Sequence, residues 1–552
     1  MRINRLFIKS FRNLRDFTIA FTPAGKDADG KPVIFNSHAI IGQNGSGKSN
    51  LLEALIIIFR DLDLKNKPEF AYQLEYEVRG QTVAVTAEKN ETPTIVVDGK
   101  KSSATAICKE ENGLLPKNVF AYYSGKNDRI EELFHRHQKK FYDDLLSEEN
   151  IPLRRLFLCR NVHSQFVLLA YLIENDPEVK KILSDLGIQD LESVLFALKR
   201  PYWFGSSPSE TMLTTGDNRF WYARGKVRHF LDRLWHYAIA PIDCDETRTV
   251  DFRDRKEKFE LLYLFLPDEK ALQGLANAFS DENLGEPAPV TFFKYLESTY
   301  ISDLIDEVKI KVKHQNTEGD ILFRELSEGE QQLLTVLGLM RLTKEDETLF
   351  LLDEPDTHLN PIWKLHYFDN IKNVIGDSPS QILVTTHDPL MIGGLKKEQV
   401  QILTVENGLV QAITPVEDPQ GMGVSGLLKS DMFGLRSTLD PPTQKSLDRR
   451  NTLIAKSSKN ELSLAEKEEL EKLRVRLDDL GFMFESRDPM YKLFIEKMVE
   501  ARSLPNENLF TKSELAEQDK IAEKILFEMA KEEKKKSIKE MAQKYGVDEG
   551  GL

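Results

Sequence analysis

The sequence predicts an α/β fold with a mixed central sheet, an antiparallel β subdomain, a mainly helical insertion and a C-terminal helical region. Three observations carry that prediction. Residues 37–41 form an apolar strand that runs through a glycine-rich turn into the helix-forming stretch 50–59. Residues 348–352 form a second apolar strand, which ends in Asp353-Glu354-Pro355. Residues 381–385 form a third, followed by Thr386-His387. Short apolar runs bounded by turn or polar residues are the pattern of strands buried on both faces of an open α/β sheet.

The opening of the chain alternates instead. Leu6, Ile8, Phe11, Leu14, Phe17, Ile19 and Phe21 recur among polar residues, which predicts a half-buried strand pair at a sheet edge. Between 72 and 101, short strands separated by Arg79-Gly80 and Asp98-Gly99 predict an antiparallel subdomain beside the main sheet. Residues 127–301 read as mainly helical, interrupted by Gly205-Ser206-Ser207-Pro208-Ser209. No long heptad array lies there, so no extended coiled-coil arm is expected. Compact α/β character returns after Leu322 and ends by about Thr414, which places the expected boundaries at 1–125, 126–318, 319–415 and 416–552. Beyond Pro441, Leu462, Leu464, Leu470, Leu473, Leu477 and Leu480 lie among dense charges and predict an amphipathic helix, with a partner helix over 491–498.

With 552 residues, 41% of them hydrophobic, the chain buries at least one large core. Its three cysteines, Cys108, Cys159 and Cys244, are too scattered for a disulfide framework or paired metal ligands. The N-terminus lacks a signal-peptide apolar stretch, and no run of about 18 apolar residues is present to span a bilayer, so a cytoplasmic protein without a membrane partner is expected. A net charge of −14 excludes a uniformly basic nucleic-acid binder and confines any DNA contact to a local patch. Arg219-Phe220-Trp221-Tyr222-Ala223-Arg224-Gly225-Lys226-Val227-Arg228 mixes cations and aromatics in a way that suits either such a patch or an amphipathic helix start with core aromatics. His135-Arg136-His137 reads as a solvated helix face rather than a metal pair.

Gly42-Gln43-Asn44-Gly45-Ser46-Gly47-Lys48-Ser49, set between a strand and a helix, satisfies the phosphate-loop pattern. Glycines let backbone N–H groups turn inward around phosphates, and the helix N-terminus adds its dipole. The residues expected to hold the nucleotide are Gly42, Asn44, Gly45, Ser46, Gly47, Lys48, Ser49 and Asn50. Lys48 reaches the β- and γ-phosphates in this motif and Ser49 ligates magnesium, so ATP and magnesium are the expected cofactors. Carboxylates at the end of a buried strand face the ligand of an open α/β sheet. Asp353 is therefore expected in the magnesium shell beside Ser49, and Glu354 as the group that polarises the attacking water.

Leu326-Ser327-Glu328-Gly329-Glu330-Gln331-Gln332 reads as a helix start, with Ser327 as N-cap and Glu330 three residues on. In the order phosphate loop, this segment, carboxylate pair and histidine, the chain resembles the ABC and SMC ATPases. The resemblance implies an ABC/SMC-like ATPase head. In that head Ser327, Gly329 and Glu330 form the signature that binds, in trans, the γ-phosphate of the ATP held by the opposite subunit. His387 stands at the switch histidine and completes, with Lys48 and Glu354, the expected catalytic set. Glu328 replaces the glycine of many transporter ATPases, which brings the match nearer to SMC-like and RecF-like variants.

Leu6-Phe7-Ile8-Lys9-Ser10-Phe11-Arg12-Asn13-Leu14 resembles the first strands of RecF and SMC proteins, which lie over the nucleotide. Arg12 and Asn13 are nucleotide contacts by that resemblance, and surface residues of a β turn by turn statistics. Asp353-Glu354-Pro355-Asp356-Thr357-His358-Leu359-Asn360-Pro361 is similar to the carboxylate and D-loop segment of OLD-like defence ATPases, with Asn360 in place of the transporter aspartate. Tyr122-Tyr123-Ser124-Gly125 with Asn127-Asp128-Arg129, and Ser430-Asp431-Met432-Phe433-Gly434-Leu435, resemble the ATPase subunits of Septu antiphage systems. That resemblance implies a homodimer or higher oligomer working with an HNH endonuclease. A RecF-like repair ATPase and an ATP-dependent scaffold with little turnover are the rival readings. The OLD-type nuclease arrangement of a glutamate and an Asp-x-Asp pair at strand ends is not found after His387, so nuclease chemistry in this chain is not expected. Gln73 is a weak candidate for the Q-loop glutamine. The helical hairpin after Pro441 reads equally as a docking surface and as a cap on the chain's own head.

Overall fold

The computed structural model describes residues 1–482, except 27–31, 104–106, 108–112, 126–128, 146–154, 206, 250, 280–286, 316–318, 344–346, 377 and 459–460, together with isolated positions between 520 and 534. These residues divide into two compact units, Met1–Gly421 and Met422–Leu552.

The first unit is organised around a seven-stranded sheet. The strand Ser37–Gly42 lies between Gln381–Thr386 and Val400–Glu406. Outward from Gln381–Thr386 come Leu349–Asp353, Val119–Tyr123 and Leu156–Leu158, and Leu409–Ile413 closes the opposite edge. All neighbours pair in parallel except that last hairpin. Parallel pairing places every strand's C-terminal end at one rim, where such sheets bind ligands. The register sets Asp353 beside Thr385 and Thr386 beside Ile41, so the ends of three strands distant in sequence converge.

Alternate side chains of this sheet serve two cores. Leu349 and Leu351 face the helix Lys48–Leu64, in one apolar cluster with Leu51, Leu55 and Phe59. Phe350 points the other way, 5.4 Å from the Phe120 ring centroid, and Phe157 carries the contact on to Phe293 of the helix Ala288–Ile301. The helix Lys48–Leu64 is buried nearly all round because a second sheet covers its far side. That sheet is antiparallel, in the order Leu14–Ala20, Arg2–Phe11, Tyr72–Val78, Gln81–Ala87, Thr94–Val97, Lys100–Ser102. The N-terminal strand pair forms its edge, and the β subdomain continues it through the Leu6 and Leu74 pairing. Arg79-Gly80 and Asp98-Gly99 are tight hairpin turns with positive φ at both residues (51° and 73°, 46° and 78°).

The insertion corrects the mainly helical expectation for 126–318. Besides the helices Val162–Ile173, Gly225–Tyr237 and Ala288–Ile301 it holds most of a five-stranded antiparallel sheet, ordered Ile239–Thr249, Lys256–Leu266, Ile188–Lys199, Ile305–His314, Asp320–Leu322. The central strand Ile188–Lys199 slips register at three points against Ile305–His314. Each bulge breaks the alternation of two, and the Leu, Glu and Lys residues that remain carry helix propensity.

In the second unit the helix Leu464–Asp479 packs against Pro441–Ser458. Ser463 and Glu466 form its capping box, and the Arg449 guanidinium forks onto both oxygens of Glu469 at 2.8 and 2.6 Å. Leu477 is buried, whereas Leu464 and Leu480 are exposed. The partner helix expected over 491–498 lies outside the described residues. No helix among the described residues is long and apolar enough to cross a membrane.

Candidate active site

The chain leaves Ser37–Gly42 and enters the helix Lys48–Leu64 through two left-handed glycines, Gly45 (φ 81°) and Gly47 (φ 99°). A substitute at Gly47 is strained on two counts: L side chains rarely adopt its conformation, and a Cβ there would stand 3.0 Å from Leu14 and 3.1 Å from the Asn13 amide. Asn13 itself clasps the loop: its Nδ2 donates to the Gly45 carbonyl at 2.9 Å, and its Oδ1 accepts from the Asn50 amide at 2.7 Å. The Lys48 ammonium is buried and donates to the Gly42 carbonyl at 2.9 Å. Burial lowers its pKa, opposed by Glu354, Asp353 and Asp356. The buried Ser46 hydroxyl has no protein partner. A helix N-terminus, a desolvated ammonium and an orphaned hydroxyl in one loop fit an anionic ligand.

Across from the loop, Asp353 ends its strand almost fully buried. Its carboxylate accepts hydrogen bonds from the Thr385 and Ser49 hydroxyls. Burial pushes its pKa up, helped by Glu354 and opposed by Thr385, Ser49 and Lys48. Glu354 adopts a left-handed backbone (φ 48°), rare for a residue with a side chain, so the strand stops there and the carboxylate swings toward the loop. Its Oε1 stands 3.2 Å from His387 Nδ1 and 3.9 Å from Lys48 Nζ. The Glu354 N–H donates to the Thr385 carbonyl and hydroxyl, each at 3.1 Å. Beneath, the buried Asp356 accepts from the Thr386 hydroxyl at 3.1 Å.

Lys48, Ser49, Asp353, Glu354 and His387 are therefore one cluster. Thr385 is the residue that sequence reasoning passed over, since one hydroxyl donates to Asp353 and accepts from Glu354. The signal lay in a polar side chain ending an otherwise apolar strand. Thr385→Val keeps the shape and removes both bonds. It is expected to destabilise the fold by about 1–3 kcal/mol, read from thermal melts.

The residues expected to form the signature stand apart from the cluster. Ser327 caps the helix Glu328–Thr343, with Ser327 N–H and Oγ both donating to Glu330 Oε2 at 2.8 Å. Ser327 is exposed, and among the described residues neither it nor Glu330 shares a hydrogen bond or ion pair with the cluster. Asn360 caps the short helix Pro361–Leu365 through the Trp363 N–H. Arg12, also left-handed (φ 52°), pairs with Glu53 on the phosphate-loop helix rather than with the loop. Arg129 holds the same carboxylate at 2.9 Å.

The other candidate segments have structural uses. Arg219 bonds Asp217 and Asp232 and lies over the Phe220 and Trp235 rings, Phe220 is buried, and Tyr222 stacks on Phe204. Phe220 is thus a core residue, whereas Trp221 and Tyr222 are only half-buried. His137 is buried against Asp63 at 2.9 Å, which corrects the solvated-face reading for that residue, whereas His135 and Arg136 are exposed. Gln73 is exposed in the middle of the antiparallel sheet. Cys159 is buried and Cys244 exposed, both free; Cys108 and the Asn127-Asp128 pair lie outside the described residues.

Parallel sheet, phosphate loop and carboxylate strand give the chain the architecture of an α/β nucleotide-binding fold. Residues 1–162 match the family model "AAA ATPase domain", and residues 216–393 match "AAA domain, putative AbiEii toxin, Type IV TA system". Among named proteins, the chain is similar to the Septu protein PtuA of Bacillus mycoides, 30% identical over 196 residues that make up 33% of this chain and 27% of that protein. It is also similar to the retron Vc95 probable ATPase of Vibrio cholerae, 27% identical over 24% of this chain and 28% of that one. The matched region thus spans under a third of each of these two relatives. Among solved structures, the SMC head domain from Thermotoga maritima aligns over 75% of this chain and 99% of its own, with 13% identity and a TM-score of 0.31.

Proposed function

We propose that the chain binds ATP with magnesium, hydrolyses it slowly at a site completed by a second copy, and thereby controls an HNH-type partner nuclease in defence against phage or foreign DNA. The observation that carries the ATPase reading is Glu354, turned out of its strand by a left-handed backbone and held between His387 and Lys48. A carboxylate in that position orients a water and takes up its proton while Lys48 neutralises the phosphate charge that develops. His387 hydrogen-bonds the same oxygen and holds the carboxylate's orientation. Ser49 and Asp353, already bonded to each other, are the residues that would hold the metal, and magnesium would there neutralise phosphate charge. Arg12 takes part through Glu53, and Asn13 by shaping the loop.

Dimerisation is supported by the exposed signature: an N-capped helix start is a ready anion site, and in this chain it faces solvent instead of the chain's own loop. Similarity to the Septu proteins supports the defence reading. The helical hairpin of the second unit, with Leu464, Val475 and Leu480 exposed, is the surface proposed for partner docking or oligomerisation.

The test is purification from the native operon, with mass spectrometry of co-purifying chains and hydrolysis measured on the same sample. An HNH-type partner supports the full reading; a solitary ATPase stimulated by DNA replaces it with RecF-like repair. Assembly that needs ATP without any turnover replaces it with a scaffold.

Asp353 makes a prediction about pH. Its raised pKa means that the folded, nucleotide-free protein bears a cost for the ionised form. Stability is present below the unfolded-state pKa and lost as pH rises through the folded one. Asp353→Asn is therefore expected to raise the melting temperature of the nucleotide-free protein by about 2 °C at pH 8, an advantage that shrinks as pH falls. The same variant loses magnesium-dependent nucleotide binding. Melting below wild type at pH 8 would contradict the assignment.

A further inference from the structure

The helix that begins at the signature is bolted to the segment that follows Glu354. Gln332, one turn into that helix, is buried, and both ends of its amide are used. Nε2 donates to the Pro355 carbonyl at 2.8 Å, and Oε1 accepts from the His358 N–H at 3.3 Å. The Tyr122 hydroxyl bonds the same side chain. Two further contacts join the same pair of segments. Glu328 pairs with the His358 ring at 3.1 Å, and a Cβ on Gly329 would stand 2.4 Å from the His358 carbonyl, so helix and loop are in direct backbone contact. The loop's near end is anchored in turn, since the Thr357 hydroxyl donates to the Glu354 carbonyl at 2.8 Å.

The geometry points to Gln332 as a positioning residue that makes the signature of one chain and the Glu354 of that same chain move as one body. This rests on the two-copy ATPase reading above. In that arrangement Ser327 meets the nucleotide of the opposite copy, while Glu354 serves the nucleotide of its own. A rigid link between them makes occupancy of one site bias the carboxylate of the other, and the bias is reciprocal. No part of this requires Gln332 to touch nucleotide.

The test is Gln332→Leu in the full chain, which keeps the buried volume and removes all three bonds. Turnover at saturating ATP is expected to fall about tenfold, and the Hill coefficient of hydrolysis against ATP to drop from about 2 to about 1. Equilibrium binding of a fluorescent ATP analogue to the isolated chain stays unchanged, which a merely destabilised site would not permit. Gln332→Glu, which keeps the acceptor for His358 N–H, recovers part of the cooperativity. Should the leucine variant fail to fold, His358→Ala replaces an exposed side chain and is expected to lower the Hill coefficient in the same direction. Wild-type cooperativity in a folded variant overturns the inference and leaves the ATPase reading standing. Wild-type protein without any hydrolysis removes the ATPase reading and the inference with it.

Discussion

Glu354→Gln is expected to lower ATP turnover about 10²- to 10³-fold while ATP still binds. The exchange is conservative for the fold. Glutamine has the same length, meets the same left-handed φ of 48°, and its side-chain oxygen still lies within reach of His387. What it lacks is the negative charge and basicity that orient and deprotonate water. Since Lys48 donates to the Gly42 carbonyl and stands 3.9 Å from the carboxylate, losing that charge does not remove the ammonium's nearest partner. Binding is therefore expected to be preserved, and under the two-copy proposal the nucleotide that cannot be cleaved is expected to hold two copies together. Phosphate release, analogue binding and the mass of the ATP-bound species are the three measurements. Turnover within about threefold of wild type would remove Glu354 from the reaction.

Much of this site is legible in the sequence because parallel strands buried on both faces announce themselves. Residues 37–41, 349–352 and 381–385 are nearly unbroken apolar runs, and each meets polar chemistry where it reaches the ligand rim. The hairpins at Arg79-Gly80 and Asp98-Gly99 are equally legible, since a turn needing two left-handed residues selects those types. The five-stranded sheet is not. Its central strand pairs on one side with residues more than a hundred positions away, and its bulges there erase the local period that would have marked it. Arg12 shows a different limit: the motif places it near the loop, yet its partner, Glu53, is a helix residue whose burial is set by the two sheets around it. Thr385 and Gln332 belong with it, because their bonds depend on register and helix phase, not on residue type.

Ser327→Arg is the second large effect, and it separates a shared site from a self-contained one. The exposed Ser327 caps its helix, so an arginine costs about 1 kcal/mol through the lost cap and sets a cation at the positive end of the helix dipole. Those local costs leave the fold intact. If the helix start receives phosphate from a second copy, the arginine blocks that approach, and turnover falls about 10²-fold or more. ATP binding at Lys48 is untouched, because among the described residues no hydrogen bond or ion pair joins Ser327 to the loop. Combining it with Glu354→Gln is expected to abolish the trapped dimers. Mixing provides the decisive measurement. A chain with Ser327→Arg retains Lys48, and a chain with Lys48→Ala retains Ser327, so the mixed dimer holds one intact site and one doubly broken site. Equal amounts of the two inactive proteins should recover up to about one quarter of wild-type turnover, since half the dimers are mixed and each has one working site. A site built from a single chain gives no recovery at all.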